Sequence, residues 1–244
     1  IKCRKAGLSP DAVVIVATIR ALKLHGGQPF DQLSKEDLKA LEDGLVNLRR
    51  HIGNLKQFGI PVIVALNRFI DDTDAEITAI VQAAEEIGAD VVECTHWANG
   101  SSGAESLAIK VIEKAENHPT QFKLLYKEAL PLWEKIEAIA HQIYKAGSVV
   151  TSERVRKQIS SYQETGYGKL PICMAKTPLS FSADPTLMGA PVNHELQIRE
   201  TRLAAGAGFL IVVCGDVMTM PGLPRVPAAN NIGVNEGGEI EGLF

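Results

Sequence analysis

Residues 59–100, GIPVIVALNRFIDDTDAEITAIVQAAEEIGADVVECTHWANG, decide the fold class because they read as one strand, helix, strand unit. The run 61–66 (PVIVAL) is short, continuous and β-branched, the pattern of a strand buried on both faces. Thr73 with Glu76 makes a capping box, Ile77, Ile80, Val81, Ala84 and Ile87 recur at helical spacing, and Gly88 closes the helix. A second strand follows over 90–94. Strands joined through one helix are parallel, with a right-handed crossover. Phe69 and Trp97, each just past a strand, are therefore expected at one carboxyl edge of the sheet, where open α/β sheets bind ligands. Two rings there can grip a flat, polar heteroaromatic ring such as a base or a pterin, a stacking contact that contributes roughly 1 to 3 kcal/mol. The alternative is packing, with Phe69 on its own helix and Trp97 stapling the next, whose start Ser102 and Glu105 would mark as another capping box.

Toward the amino terminus, 11–17 (DAVVIVA) is a further buried strand, and it runs into TIRALKLHGG over 18–27. Thr18, Arg20 and Lys23 put a hydroxyl, a guanidinium and an ammonium near that strand's carboxyl end, groups suited to phosphate or carboxylate. A basic surface turn is the plainer alternative for Arg20 and Lys23. Ser34 and Asp37 read as a capping box for a helix with an apolar stripe at Leu38, Leu41, Leu45, Leu48, Ile52 and Leu55. That stripe fits packing on a parallel sheet better than a dimer seam, and His51 beside it reads as structural.

Toward the carboxyl terminus, helices are expected over 103–116, over 131–144 with Pro131 in its first position, and over 152–163. Trp133 reads as packing. A buried strand over 170–174 feeds Lys176 and Thr177 and a loop rich in Pro, Ser and Asp. The same edge argument puts Lys176, Thr177 and Asp184 on the ligand side, although Asp184 also suits a turn cap before Pro185. Strands over 196–200 and 209–214 approach closely at Gly206 and Gly208, 218–224 forms a rigid Pro/Gly loop, and 232–234 with 239–243 forms a hairpin.

At 244 residues the chain is long enough for a sizeable core. Its 25 basic and 29 acidic residues leave no basic stripe, which argues against nonspecific nucleic-acid binding. The four cysteines are far apart and sit mostly in apolar runs, as buried thiols of a reducing compartment do. No CxxC or HxxxH pair occurs, so no tightly bound metal is expected. No apolar run is long enough to span a bilayer and no signal peptide is evident, which makes the cytoplasm the expected location and a membrane partner unexpected. A GxxxxGK[ST] loop is absent, and the chain opens on Ile1 with a strand within about a dozen residues, as a piece cut from something longer would.

The run VATIRALKLHGG at 16–27 resembles a signature of formate-tetrahydrofolate ligase, also called 10-formyltetrahydrofolate synthetase. VALNRFIDD (64–72), THWANG (95–100), GYGKLPICMAKT (166–177), AGAGF (205–209), MTMPGLP (218–224) and the terminal GLF agree in the same order. The resemblance spans the whole chain but only the carboxyl-terminal part of the family's polypeptide. It implies an α/β fold with a mostly parallel sheet and flanking helices, P-loop NTPase-like but lacking its amino-terminal part, plus a small Gly/Pro-rich α+β region at the carboxyl end. The divisions it suggests are 1–60 as the end of a nucleotide-binding domain, 61–165 as a folate-binding portion and 166–244 as a carboxyl-terminal region. The implied substrates are formate, magnesium-bound ATP and tetrahydrofolate. Formyl phosphate is the intermediate, the missing amino-terminal part of the enzyme is a partner, and the assembly is a homo-oligomer.

By the same resemblance Phe69 and Trp97 stack on the pterin, and Asn67 positions the loop between them. Thr18, Arg20 and Lys23 belong to the formyl phosphate or nucleotide neighbourhood. By analogy with P-loop folds, where a late strand commonly supplies base-recognition residues, Lys176 and Thr177 are expected at an adenine contact of the nucleotide. Some relatives carry proline where this chain has Ile70, a change that keeps an apolar wall. Two other readings stand beside this one. A guanine-binding switch would need aspartate at Ile70, three places after Asn67. A noncatalytic assembly module would show no folate affinity and a concentration-dependent mass.

Overall fold

The structure, a computed structural model, describes residues 1–117, 121–176, 180–184, 186–215, 225–238 and 240–242. Thr177, Pro185, the loop 218–224 and parts of the run 239–243 lie outside the described residues. The first half of the chain runs α1 (Lys2–Ala6), β1 (Val13–Ala17), α2 (Ile19–His25), α3 (Leu38–Lys56), β2 (Val62–Asn67), α4 (Asp74–Glu85) and β3 (Asp90–Cys94). The three strands form one parallel sheet in the order β1-β2-β3, with Ile15 beside Val64 and Val64 beside Val91. The expected strand, helix, strand unit is therefore present, and 62–66 of its central strand are buried, as a continuous apolar run requires.

Helices α2, α3 and α4 cover one face of this sheet. Leu41, Leu45, Leu48 and Ile52 of the predicted stripe join Val62, Val64, Leu66, Ile77 and Ile80 in one core. The cap of α3 is Asp37, whose carboxylate accepts the Ala40 N–H at 2.9 Å. Ser34 takes no part in that cap, so the helix begins three residues later than the expected box. Helices α2 and α3 cross at near backbone contact. A Cβ on Gly44 would lie 1.9 Å from the Leu22 carbonyl oxygen, and one on Gly26 would lie 1.7 Å from that of Ala40. Gly26 thus serves helix packing rather than the ligand edge.

The second half runs α5 (His96–Asn99), α6 (Glu105–Asn117), α7 (Leu132–Gln142), β4 (Ser148–Thr151), α8 (Glu153–Tyr162), β5 (Ile172–Ala175), β6 (Glu195–Ala204), β7 (Phe209–Cys214), β8 (Gly233–Val234) and β9 (Ile240–Glu241). A separate, mixed sheet has the order β4-β6-β7-β5, in which β4 with β6 and β5 with β7 are parallel while β6 and β7 form an antiparallel hairpin. Its core gathers Ile136, Ala140, Leu196, Ile198, Leu210 and Val212. The short β4 was not expected from the sequence, and the division at 165/166 falls inside this sheet, as 60/61 falls inside the first. Pro131 is the cap of α7 rather than its first helical residue. The Ser102 hydroxyl donates to the Asn99 carbonyl at 2.8 Å, and a 3-10 turn over Gly100–Ala104 leads into α6, so the second expected capping box does not form. Strands β8 and β9 pair antiparallel, which is the expected terminal hairpin within the described residues. Among those residues, no helix is long and apolar enough to cross a membrane.

Candidate functional site

Strand register sets the site. Ala17 lies beside Leu66, and Asn67 beside Cys94, so the chain leaves β1, β2 and β3 at one carboxyl edge. The Arg68 N–H donates to the Cys94 carbonyl at 3.0 Å and extends that pairing by one residue. Just beyond it the Phe69 and Trp97 rings meet, with centroids 6.2 Å apart and planes tilted by 52°. The Arg20 guanidinium, at the start of α2, lies 5.5 Å from the Phe69 ring centroid and 3.9 Å from the Asp71 carboxylate. Cation and ring at such a distance attract one another through the ring quadrupole. Phe69, Trp97 and Arg20 therefore share one solvent-facing edge, and Trp97 is 64% exposed.

The Phe69 turn is fastened from beneath. Its N–H donates to the Asp72 carboxylate at 2.8 Å, and the Asp72 N–H donates back to the Phe69 carbonyl at 3.2 Å. Burial pushes the Asp72 carboxyl above its ordinary range, the Phe69 amide opposes that shift, Glu76 adds to it, and Lys23 and Arg20 counter it. The next residues build the expected capping box, with Thr73 Oγ1 accepting the Glu76 N–H at 3.3 Å and Glu76 Oε2 accepting the Thr73 N–H at 3.2 Å. The Trp97 loop holds itself together differently. The Thr95 N–H donates to the Gly103 carbonyl at 2.9 Å, and Asn99 donates to Thr95 Oγ1 at 3.0 Å. A Cβ on Gly103 would lie 2.4 Å from the Thr95 carbonyl carbon, so only glycine closes this loop.

Two of the expected polar groups sit elsewhere than their sequence position suggests. Lys23 is in the core, its ammonium 2.9 Å from Glu76 Oε1 and 2.7 Å from the Lys35 carbonyl, and it presents no charge at the edge. Three residues after Arg20 it lies on nearly the same side of the helix, and what takes it into the core is Glu76, at the start of α4, which supplies the opposite charge. Lys176 follows β5, which belongs to the second sheet, so the edge shared by Phe69 and Trp97 does not extend to it. Its ammonium donates to the Ser180 carbonyl and lies over the Phe181 ring at 5.3 Å, and burial lowers its pKa. It lines a cavity of about 510 Å³ together with His51, Phe58, Tyr126, Tyr144 and Phe181. Asp184 acts as the alternative reading had it, its carboxylate accepting the Thr186 N–H at 2.8 Å.

Thr18 stands at the edge as the cap of α2, its hydroxyl accepting the Ala21 N–H at 3.2 Å. Asn67 ends β2 with its Oδ1 buried and without a hydrogen-bond partner among the described residues. Asp72 and Gly103 are the site residues that sequence reasoning passed over. An aspartate within a few residues after a strand is a turn signal, and Asp72, five places after the end of β2, carries it.

The family model described as "Formate--tetrahydrofolate ligase" matches residues 1–244. The chain belongs to the formate-tetrahydrofolate ligase family. It is 54% identical to the formate-tetrahydrofolate ligase of Rhizobium rhizogenes over 244 residues, 54% to that of Pelagibacter ubique over 244, and 56% to that of Hyphomonas neptunium over 243. Each comparison covers 100% of this chain and 44% of the relative, so the chain spans less than half the length of the ligases it matches. The aromatic edge of the first sheet brings the half-buried Phe69, the exposed Trp97 and the Arg20 guanidinium together.

Proposed function

We propose that this chain supplies the tetrahydrofolate site of an enzyme that joins formate to tetrahydrofolate using ATP. The observation that carries the reading is the Phe69–Trp97 pair at the carboxyl edge of the parallel sheet, with Trp97 64% exposed. The rings form an open V, and a pterin is flat enough to lie against both. Two van der Waals layers need about 7 to 8 Å between parallel rings, so the guest spreads the pair beyond its present 6.2 Å.

In this reading ATP, with its magnesium ion, phosphorylates formate. N10 of tetrahydrofolate then attacks the formyl carbonyl, the C–N bond forms, the C–O bond to phosphate breaks, and the N10 proton passes to the released phosphate or to water. Arg20, half-exposed beside Phe69, supplies positive charge toward the phosphoryl oxygens, an electrostatic role that needs no covalent step. Thr18 borders the same edge and fixes the start of the helix that carries Arg20. Lys23 acts at one remove, by holding Glu76 and the α4 cap beneath the Phe69 turn.

The phosphate loop belongs to the part of the longer polypeptide that this chain does not span. Among the described residues β1 is an edge strand with Val14 and Val16 exposed on one face, whereas parallel sheets are covered on both, so that face has room for a further part of a longer polypeptide. The complete enzyme is read as a cytoplasmic homo-oligomer. The test is a calorimetric titration of tetrahydrofolate into this chain and into its Trp97→Ala variant. Binding that the substitution weakens supports the reading, and absence of binding to a folded wild-type chain counts against a self-contained pterin site.

A further inference from the structure

The two rings are held by unequal means. Phe69 follows a residue whose N–H is tied to Cys94, its own N–H is tied to Asp72, and its ring face carries the Arg20 guanidinium. Trp97 stands on a four-residue helix inside a loop whose hydrogen bonds, among the described residues, run between its own members Thr95, Ala98, Asn99, Ser102 and Gly103. Because the pair stands at 6.2 Å and 52°, one ring must move to admit a flat guest, and Phe69 is the one that is fastened.

We infer that Asp72 is a positioning residue, whose carboxylate fixes Phe69 as the rigid wall of the ligand site and leaves Trp97 to move. This rests on the folate reading for the identity of the ligand but not for the anchor itself. Asp72 is 7% exposed and lies under the turn rather than in the cleft, so it acts through Phe69 and not on the ligand. Its carboxylate oxygen is the acceptor that the Phe69 N–H uses, and the amide of asparagine offers an oxygen in the same place.

The experiment uses this chain as wild type, Asp72→Ala and Asp72→Asn, with two readouts: hydrogen exchange of the Phe69 amide, and calorimetric titration with tetrahydrofolate. The expected result is slow exchange in wild type and Asp72→Asn and fast exchange in Asp72→Ala. The affinity of Asp72→Ala falls about tenfold or more, as loss of a charged hydrogen bond implies, and asparagine restores most of it. Equal exchange and equal affinity in wild type and Asp72→Ala overturn the inference, as does an Asp72→Asn variant as weak as the alanine one. Where Asp72→Ala does not fold, Asp72→Asn decides, and loss of either slow exchange or affinity in that folded variant overturns it. Where wild type binds no tetrahydrofolate, the folate reading fails by itself and the exchange pattern alone judges the anchor.

Discussion

Lys23 and Glu76 form an ion pair at 2.9 Å with both side chains buried, and it joins the helix after β1 to the cap of the helix after β2. Glu76 also accepts the N–H groups of Asp37 and Thr73, each at 3.2 Å. One carboxylate thereby ties α2, the start of α3 and the start of α4 together beneath the aromatic edge. Breaking such a pair from one side leaves an uncompensated buried charge. Glu76→Ala is expected to cost about 3 to 5 kcal/mol, read from denaturant unfolding. The double variant Lys23→Met, Glu76→Leu should regain much of that loss, and a double variant less stable than Glu76→Ala would contradict this account.

The same carboxylate makes stability depend on pH. Burial by itself would raise its pKa, but Lys23 and the amides of Asp37 and Thr73 more than offset that and hold it below 4.5. A lowered carboxyl contributes stability that is present above its unfolded value and is lost as pH falls through its folded value. The difference in melting temperature between wild type and Glu76→Gln should therefore be largest near neutral pH and shrink below about pH 4.5. A difference that grows in acid would refute this sign.

Trp97→Ala should weaken tetrahydrofolate binding by about 1 to 3 kcal/mol, the stacking contribution of one ring. Since the side chain is 64% exposed, its melting temperature should stay within about 2 °C of wild type. A large loss of stability would show that Trp97 acts as packing.

Gly44→Ala tests the helix crossing that brings α2 to its place. The new Cβ would stand 1.9 Å from a backbone oxygen, so the two helices must separate. The expected cost is about 1 to 3 kcal/mol in thermal or denaturant unfolding, the range for overpacking a tight contact. An unchanged midpoint would mean that the crossing yields freely.

Arg20→Ala should reduce turnover of an active full-length ligase more than it reduces tetrahydrofolate affinity, because the guanidinium is assigned to charge on the phosphoryl group. Steady-state kinetics beside a binding titration separate the two effects. Equal losses in both would move Arg20 into the pterin contact.

Local pattern made the first sheet legible. A β-branched run, a capping box and a helical period lie within 59–94 and depend on neighbours a few residues away, so β2, α4 and β3 follow from the sequence almost residue for residue. The position of Phe69 and Trp97 at one edge followed too, because strands joined through one helix run parallel. What the sequence by itself determined is thus the parallel unit, the α3 stripe and the aromatic edge. Tertiary structure decided the rest through contacts between residues distant in the chain. Lys23 reads as a surface cation until Glu76, from another helix, offers it a buried partner. Strand β5 reads as one more strand of the first sheet until its pairing with β7 places it in another, and with it Lys176. Burial, charge pairing and strand partner are properties of two segments at once, and periodicity describes only one.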